Sequence, residues 1–553
     1  MRLGISLVQG LALYGLSLPL ADRVPHPWVS AHPVGFGLLV LCATLLPLAV
    51  LPILGHARGH VVAAWVLAAA GLILLLGGYD LRQSGETTMT PASNRGLASL
   101  GAILFLGQAL VAAMEASRRL WPRYPDCFKA AWRAELQLAL AGCFVLGFWL
   151  VYWVGVQLFR GIGLNSLNRL GGEPGFVLPV STVLGAVGIH LSDAGWRLTL
   201  GLRNLLLGLN AWLTPVLAGL AGAFIVTLPF TGLGVLWQRD DAPTGLIAAT
   251  GGLVVLISVV HGDGRGQGAS PAIHRLSARL ASAMLPILLG LAAWALIRQV
   301  GAQGLTQGRM VAAAALVVLS VHGTAYPVAA LSPGMRLLEP ANIVAAFGAV
   351  VALAALNSPL ADPTRMEVRS QTGRLLRGAL APDDFNFDRL PRLGRDGKDA
   401  LAALVQHPDP EIARRARTAA VHSDDMARDM AIEGTVMPRL RALPPDTDLP
   451  PGLVAAMGDA LPGCLAEECL ACAFPAGGEG AWLVGPVGGS FWAMRPDGAG
   501  WRRLAIYETS YTCWDRARAG MLAGEARPVP PLLPDLDLAG VLLRPMISLE
   551  ECR

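Results

Sequence analysis

The sequence predicts an all-α polytopic membrane bundle of about 11 spans, followed by a small soluble α+β C-terminal domain. Three observations carry this. Mean hydropathy is +0.51, and only 15% of the 553 residues are charged, where a soluble domain carries about a quarter. Apolar runs long enough to cross roughly 30 Å of hydrocarbon, for which about 20 residues are needed, recur up to Asn357 and then stop. Beyond Leu443 the chain becomes rich in Pro and Gly, with short strand-like segments between turn residues.

Charge divides at the same place. Up to Asn357 there are 21 Lys+Arg and 12 Asp+Glu, a balance of +9; the remainder holds 22 and 27, a balance of −5, and the two give the net +4. A basic membrane half suits anionic lipid and orienting loops. A mildly acidic tail argues against nucleic acid as a partner.

The apolar runs lie near Leu3–Leu20, Val34–Leu54, Val61–Gly78, Leu97–Met114, Leu136–Phe159, Leu205–Pro229, Gly245–Val260, Ala281–Ile297, Val311–Leu331 and Ala341–Asn357, with a shorter eleventh at Phe176–Leu191 that contains Pro179. Each must be helical, because lipid offers backbone groups no water. Met1-Arg2 and the apolar stretch after it resemble a signal peptide, but Pro19 before Leu20-Ala21 makes a poor cleavage site. We therefore expect a retained first span. Trp149, Tyr152, Trp153 and Trp237 read as interfacial aromatics or as packing residues. The small residues Ala218 to Ala223 suit close helix approach in a packed bundle.

Two segments are amphipathic. Gly195–Asn210, interrupted by Arg197, Arg203, Asn204 and Asn210, fits an interfacial helix leading into the next span. Arg365, Arg369, Arg374 and Arg377 suit either a helix on the headgroup surface or a solvated one. The expected division is a bundle over 1–357, a juxtamembrane amphipathic and helical segment over 358–442, and a tail domain over 443–553. Two short helices are expected within Asp399–Val421, the second capped by Asp409 with Pro410 at its first position. Strands are expected at Trp482–Val484, Phe491–Met494 and Trp501–Tyr507.

The junction carries a resemblance. Gly304-Leu305-Thr306, Ser358-Pro359-Leu360-Ala361-Asp362-Pro363, Arg369-Ser370-Gln371 with Arg374-Leu375, the Phe385–Leu390 segment and Leu228-Pro229-Phe230-Thr231-Gly232-Leu233 are similar to motifs of a bacterial integral-membrane family known as domain of unknown function 4153. The resemblance implies a bacterial inner-membrane protein and brings no catalytic or binding residues with it.

Ionisable residues inside spans are the first place to look for function. The 12 acidic residues of the membrane half all fall in loops or at span ends, Glu115 being nearest to a span interior. His322 is the exception, mid-span with Thr324 and Tyr326 nearby and with Pro327 freeing the carbonyl of Gly323. A histidine there gates, relays a proton or binds a polar ligand, or simply hydrogen-bonds a neighbouring helix. His261 and Asp263 lead into a glycine-rich run that follows no strand and reads as a linker. His56 and His60, with Gly55 and Gly59 around them, make a poor metal site. Cys464, Cys469, Cys472, Cys513 and Cys552 cluster in the tail; disulfides explain them more economically than zinc does. No cofactor or metal is expected.

These features point first to a non-catalytic sensing or interaction protein of the cell envelope, with the lipid bilayer and an envelope protein as partners. A transporter or permease, or a membrane-embedded enzyme acting on lipid or envelope glycan, are the alternatives. Arg118 to Arg133 form the densest basic loop and are placed in the cytoplasm. Seven spans after that loop put the tail in the periplasm, where its cysteines suit an oxidising compartment.

Overall fold

The computed structural model describes residues 1–20, 27–84, 93–161, 164–232, 234, 242–264, 271–332, 334–421, 423, 440–444, 447–450, 452–453, 469–474, 480–487, 490–498, 500–508, 519–523, 536–538 and 541–543. It divides into two units, Met1–Gln371 and Thr372–Arg553.

Among its described residues the first unit contains 11 helices long and apolar enough to cross a membrane. They are α1 (Arg2–Ser17), α2 (Pro33–Val50), α3 (Gly59–Ser84), α4 (Asn94–Ser117), α5 (Tyr124–Gly161), α6 (Pro174–Ala194), α7 (Trp196–Thr231), α8 (Ala242–His261), α9 (Ala272–Gln303), α10 (Gln307–Ala330) and α11 (Leu338–Leu356). The chain is therefore a polytopic membrane protein. Pro179 sits inside the 21 residues of α6 without ending it, and at 1.5 Å per residue that helix is about 31 Å long. The segment Gly195–Asn210 is not a separate interfacial helix. Its described part continues into α7 as one 36-residue helix, because straight-chain and leucine-rich sequence supplies helical propensity throughout.

Residues that pack inward are the small and apolar ones. One core gathers Leu253, Leu285, Leu288, Tyr326 and Leu338 from α8 to α11; another gathers Leu41, Trp65, Ile73, Leu100 and Ile103 from α2 to α4. Outward, α5 exposes Leu146, Leu150, Val151 and Leu158. A water-exposed helix would not tolerate that face, whereas lipid does. Trp149 donates to Ser181 Oγ at 3.1 Å and Tyr152 to Leu167 O at 2.7 Å, so both tie α5 to neighbouring elements. Trp153 is exposed, and Trp237 lies outside the described residues.

The last helix of the first unit, α12 (Pro363–Leu376), crosses the boundary between the units at Gln371. The division thus falls 14 residues after Asn357, the end expected from hydropathy. Hydropathy marks where apolar sequence stops, whereas α12 stays with the bundle through polar contacts.

In the second unit, α13 (Gly394–Val405) and α14 (Pro410–Val421) form the expected pair. Asp409 caps α14, accepting from Glu411 N at 2.9 Å. A five-stranded sheet follows, with β1 (Leu440–Leu443), β2 (Cys469–Ala473), β3 (Trp482–Val487), β4 (Ser490–Asp497) and β5 (Gly500–Glu508) in that order. β1 runs parallel to β2, and the other pairs are antiparallel. The β4–β5 turn places Gly498 at φ +59°, a conformation glycine adopts freely. Val484, Met494, Cys469 and Ala471 build the core of this sheet.

Candidate functional site

Two polar groupings arise from the residues singled out by sequence. The first lies inside the bundle. His322 and Tyr326 stand one turn apart on α10 and share an acceptor on α11. Asn342 Oδ1 is 3.2 Å from His322 Nε2 and accepts from Tyr326 OH at 2.8 Å. Ser258 on α8 closes the group, its Oγ 3.0 Å from Tyr326 OH and 3.4 Å from Asn342 Nδ2. His322 and Tyr326 are deeply placed, 6% and 0% exposed, while Ser258 and Asn342 are partly buried.

The chemistry follows from the acceptor. An amide oxygen facing His322 Nε2 calls for a proton on that nitrogen. The partners of His322 and Tyr326 in this cluster are an amide and a hydroxyl, so it links three helices in a medium that penalises unpaired polar groups. Thr324 is not part of it. Its hydroxyl bonds Ser320 O and Val321 O of its own helix, and the residue is exposed. Ser258 and Asn342 escape a search for ionisable residues because neither ionises; an amide inside an apolar run is the signal that marks Asn342.

The second grouping is built where α10 begins and α11 ends. Asp362, 2% exposed, accepts from Tyr79 OH at 2.8 Å and from Gln83 Nε2 at 3.3 Å. Its other oxygen accepts from Thr364 N at 2.8 Å, capping α12. Arg95 lies 3.8 Å from the same carboxylate and donates to Thr364 Oγ1 and Gln307 Oε1, each at 3.1 Å. Glu367, 1% exposed, accepts from Gln307 N at 2.9 Å, which satisfies an open amide at the start of α10. Leu305 N donates to Ser370 Oγ at 3.0 Å, and Gln371 Nε2 donates to Gln303 O and Leu305 O at 2.9 and 3.0 Å.

The start of α12 is accordingly neither a helix on the headgroup surface nor a free solvated one. Its buried face includes Glu367 and Val368 while Arg369 is exposed, because the donors waiting at the start of α10 call for an acidic partner. The short segments Gly304-Leu305-Thr306, Asp362-Pro363 and Ser370-Gln371, far apart in sequence, meet here.

The remaining candidates sit elsewhere. His261 Nε2 is 3.5 Å from Glu339 Oε1, and Asp263 follows it at the same end of α8; most of the glycine-rich run lies outside the described residues. His56 contacts Arg133 and lies 4.0 Å from Asp193, whereas His60 is exposed in the first turn of α3. No group of three or more metal-binding side chains occurs among the described residues. In the sheet, Cys469 is disulfide-bonded and Cys472 is a free thiol whose pKa burial pushes up; Cys464, Cys513 and Cys552 lie outside the described residues.

No protein-family model, curated protein or solved structure matches this chain. The fold and the two groupings define it as a polytopic membrane protein with a C-terminal sheet domain.

Proposed function

We propose that this chain is a non-catalytic sensing or interaction protein of the bacterial inner membrane, whose C-terminal domain engages an envelope partner in the periplasm. The observation that carries this is α12. Its first nine residues are fixed in the end of the bundle by two buried carboxylates, Asp362 and Glu367, and the same helix continues as the first residues of the second unit. A tethered soluble domain on an otherwise dispensable linker does not need that anchoring. A helix that passes a change in the bundle on to the chain beyond it does.

The meeting of the three junction segments also supports membership of the family of domain of unknown function 4153, since its motifs then describe one structural joint. The test compares the full chain with a version ending at Gln371 in cross-linked membranes. The full chain should recover envelope proteins that the shortened one loses. Uptake of a solute by reconstituted vesicles, retained in the shortened version, would instead establish a transporter and sink this reading.

A further inference from the structure

We propose that His261 and Glu339 form a proton-operated latch between α8 and α11, at the Arg118–Arg133 end of the bundle. The ligand is a proton. On the sensing reading above, which this rests on, the signal is acidification on that side of the membrane.

Two helix ends of opposite polarity meet here. His261 is the last residue of α8, whose carbonyl end favours a cation, and Glu339 lies in the first turn of α11, whose amide end favours a carboxylate. His261 Nε2 is 3.5 Å from Glu339 Oε1; the histidine side chain is 2% exposed and the glutamate side chain 31%. The turn after α8 closes over the carboxylate, since a Cβ at Gly264, where φ is +77°, would stand 2.6 Å from Glu339 Oε1. Asp263 in that turn adds a second negative charge to the surroundings of His261. From α5 the Tyr124 ring packs against the imidazole, their centroids 5.7 Å apart. Three residues earlier on α8, Ser258 joins the cluster of Tyr326 and Asn342.

With the imidazole neutral, one long contact holds the pair. A charge-assisted hydrogen bond settles at about 2.7–2.9 Å, so a proton on His261 draws Glu339 in and fixes the first turn of α11 against α8. Burial opposes the charge, and acidification supplies it. Arg336, exposed and three residues before Glu339, reports the latch, because trypsin reaches its bond when the chain there opens locally.

The test treats the full chain, in phosphatidylcholine nanodiscs, with trypsin at pH values about one unit below and about one unit above the ordinary histidine value of about 6.5. Each rate is divided by that of an unstructured peptide of the same sequence. Cleavage after Arg336 should slow about threefold at the acid pH, the scale of a partly exposed ion pair. His261→Gln and Glu339→Gln should each abolish the difference. Glu339 is the more exposed of the two, so its variant keeps the test alive if the His261 one does not fold. In nanodiscs holding chain labelled at histidine, the magnetic resonance signal missing from His261→Gln should titrate, and in Glu339→Gln it should titrate about one pH unit lower, the opposite charge being gone. Cleavage that is equal at the two pH values, or faster at the acid one, overturns the proposal. So does a His261 titration indifferent to Glu339→Gln. Neither measurement involves a partner, so failure to recover envelope proteins would sink the sensing reading without touching the latch.

Discussion

Arg2 Nη1 lies 2.6 Å from Asp193 Oδ2, joining the start of the first span to the end of the sixth across 191 residues. Asp193 also accepts from Arg133 at 3.0 Å and Gln137 at 2.6 Å, and Arg2 donates to Leu54 O at 2.6 Å. One carboxylate on α6 thus collects three donors from two other helices, α1 and α5. Asp193→Ala should lower stability by about 2 kcal/mol, the scale of hydrogen bonds to a charged group, read as a drop in the melting temperature of the purified protein. Unchanged melting would mean that solvent replaces the carboxylate at no cost.

His56 belongs to the same neighbourhood and predicts a pH dependence. Burial and the nearby Arg133 charge push its pKa below the ordinary value. The folded state therefore favours the neutral ring. Its stabilising contribution is full above about 6.5, the unfolded value, and is lost as the pH falls from there to the lower folded value. Melting temperature should decline with acidification through that window, and His56→Gln should flatten part of the decline. An identical slope in the variant would assign the effect to other groups.

Close helix packing gives a sharper test. A Cβ at Gly188 on α6 would stand 2.6 Å from Ala141 Cα on α5, whereas a Cβ at Gly219 on α7 meets nothing within 4 Å. Gly188→Ala should cost about 1–3 kcal/mol by forcing the helices apart. Gly219→Ala should be neutral or stabilise by up to about 1 kcal/mol through helix propensity. Thermal melts of the two variants should differ in sign or clearly in size.

For the cluster around His322, Asn342 is the hub. Asn342→Leu leaves His322 and Tyr326 without their acceptor and should cost about 1–2 kcal/mol, given that interhelical hydrogen bonds in membranes average about 0.6 kcal/mol. His322→Gln keeps a donor and should cost less. A double-mutant cycle on His322 and Asn342 measures the pair directly. Zero coupling would show that the 3.2 Å contact carries no energy.

The spans were legible in sequence because hydropathy reports transfer into lipid, and that single quantity dominates wherever water is absent. The three strands from Trp482 onward were legible through their alternation and the turn at Gly498. Leu440–Leu443 and Cys469–Ala473 were not, since four or five residues give too short a pattern and their pairing partners are distant. The run from Ala218 to Ala223 does bury Ala218 and Ala221, but Gly219 faces open space. Two close backbone approaches between spans, Gly188 on Ala141 and Gly10 on Pro179, involve isolated glycines. Which small residue meets a neighbour depends on helix order and rotation, which composition does not encode. Likewise Glu367 reads as one charge in an arginine-rich helix until the open amides at the start of α10 are placed beside it.

Membrane sidedness is the last expectation to test. Seven helices, α5 to α11, separate the basic loop after Arg118 from Asn357, so these two points lie at opposite ends of the bundle. The basic residues Arg118, Arg119, Arg123, Lys129 and Arg133 argue for the cytoplasmic side at the first point. On the proposed orientation the second point opens to the periplasm, where the Cys469 disulfide would be chemically at home. Two single-cysteine reporters decide it. Arg502→Cys places a thiol on exposed strand β5, and Arg336→Cys places one between α10 and α11, both at exposed positions. A membrane-impermeant maleimide applied to intact spheroplasts should label the peptide containing position 502 at once, and the one containing 336 only after lysis. Labelling of 336 but not 502 would put the tail in the cytoplasm, either because the whole bundle is reversed or because one of α5 to α10 does not cross, with α6, which contains Pro179, the first to examine by the same method. Protection of both would mean that α11, the span between the two positions, does not cross.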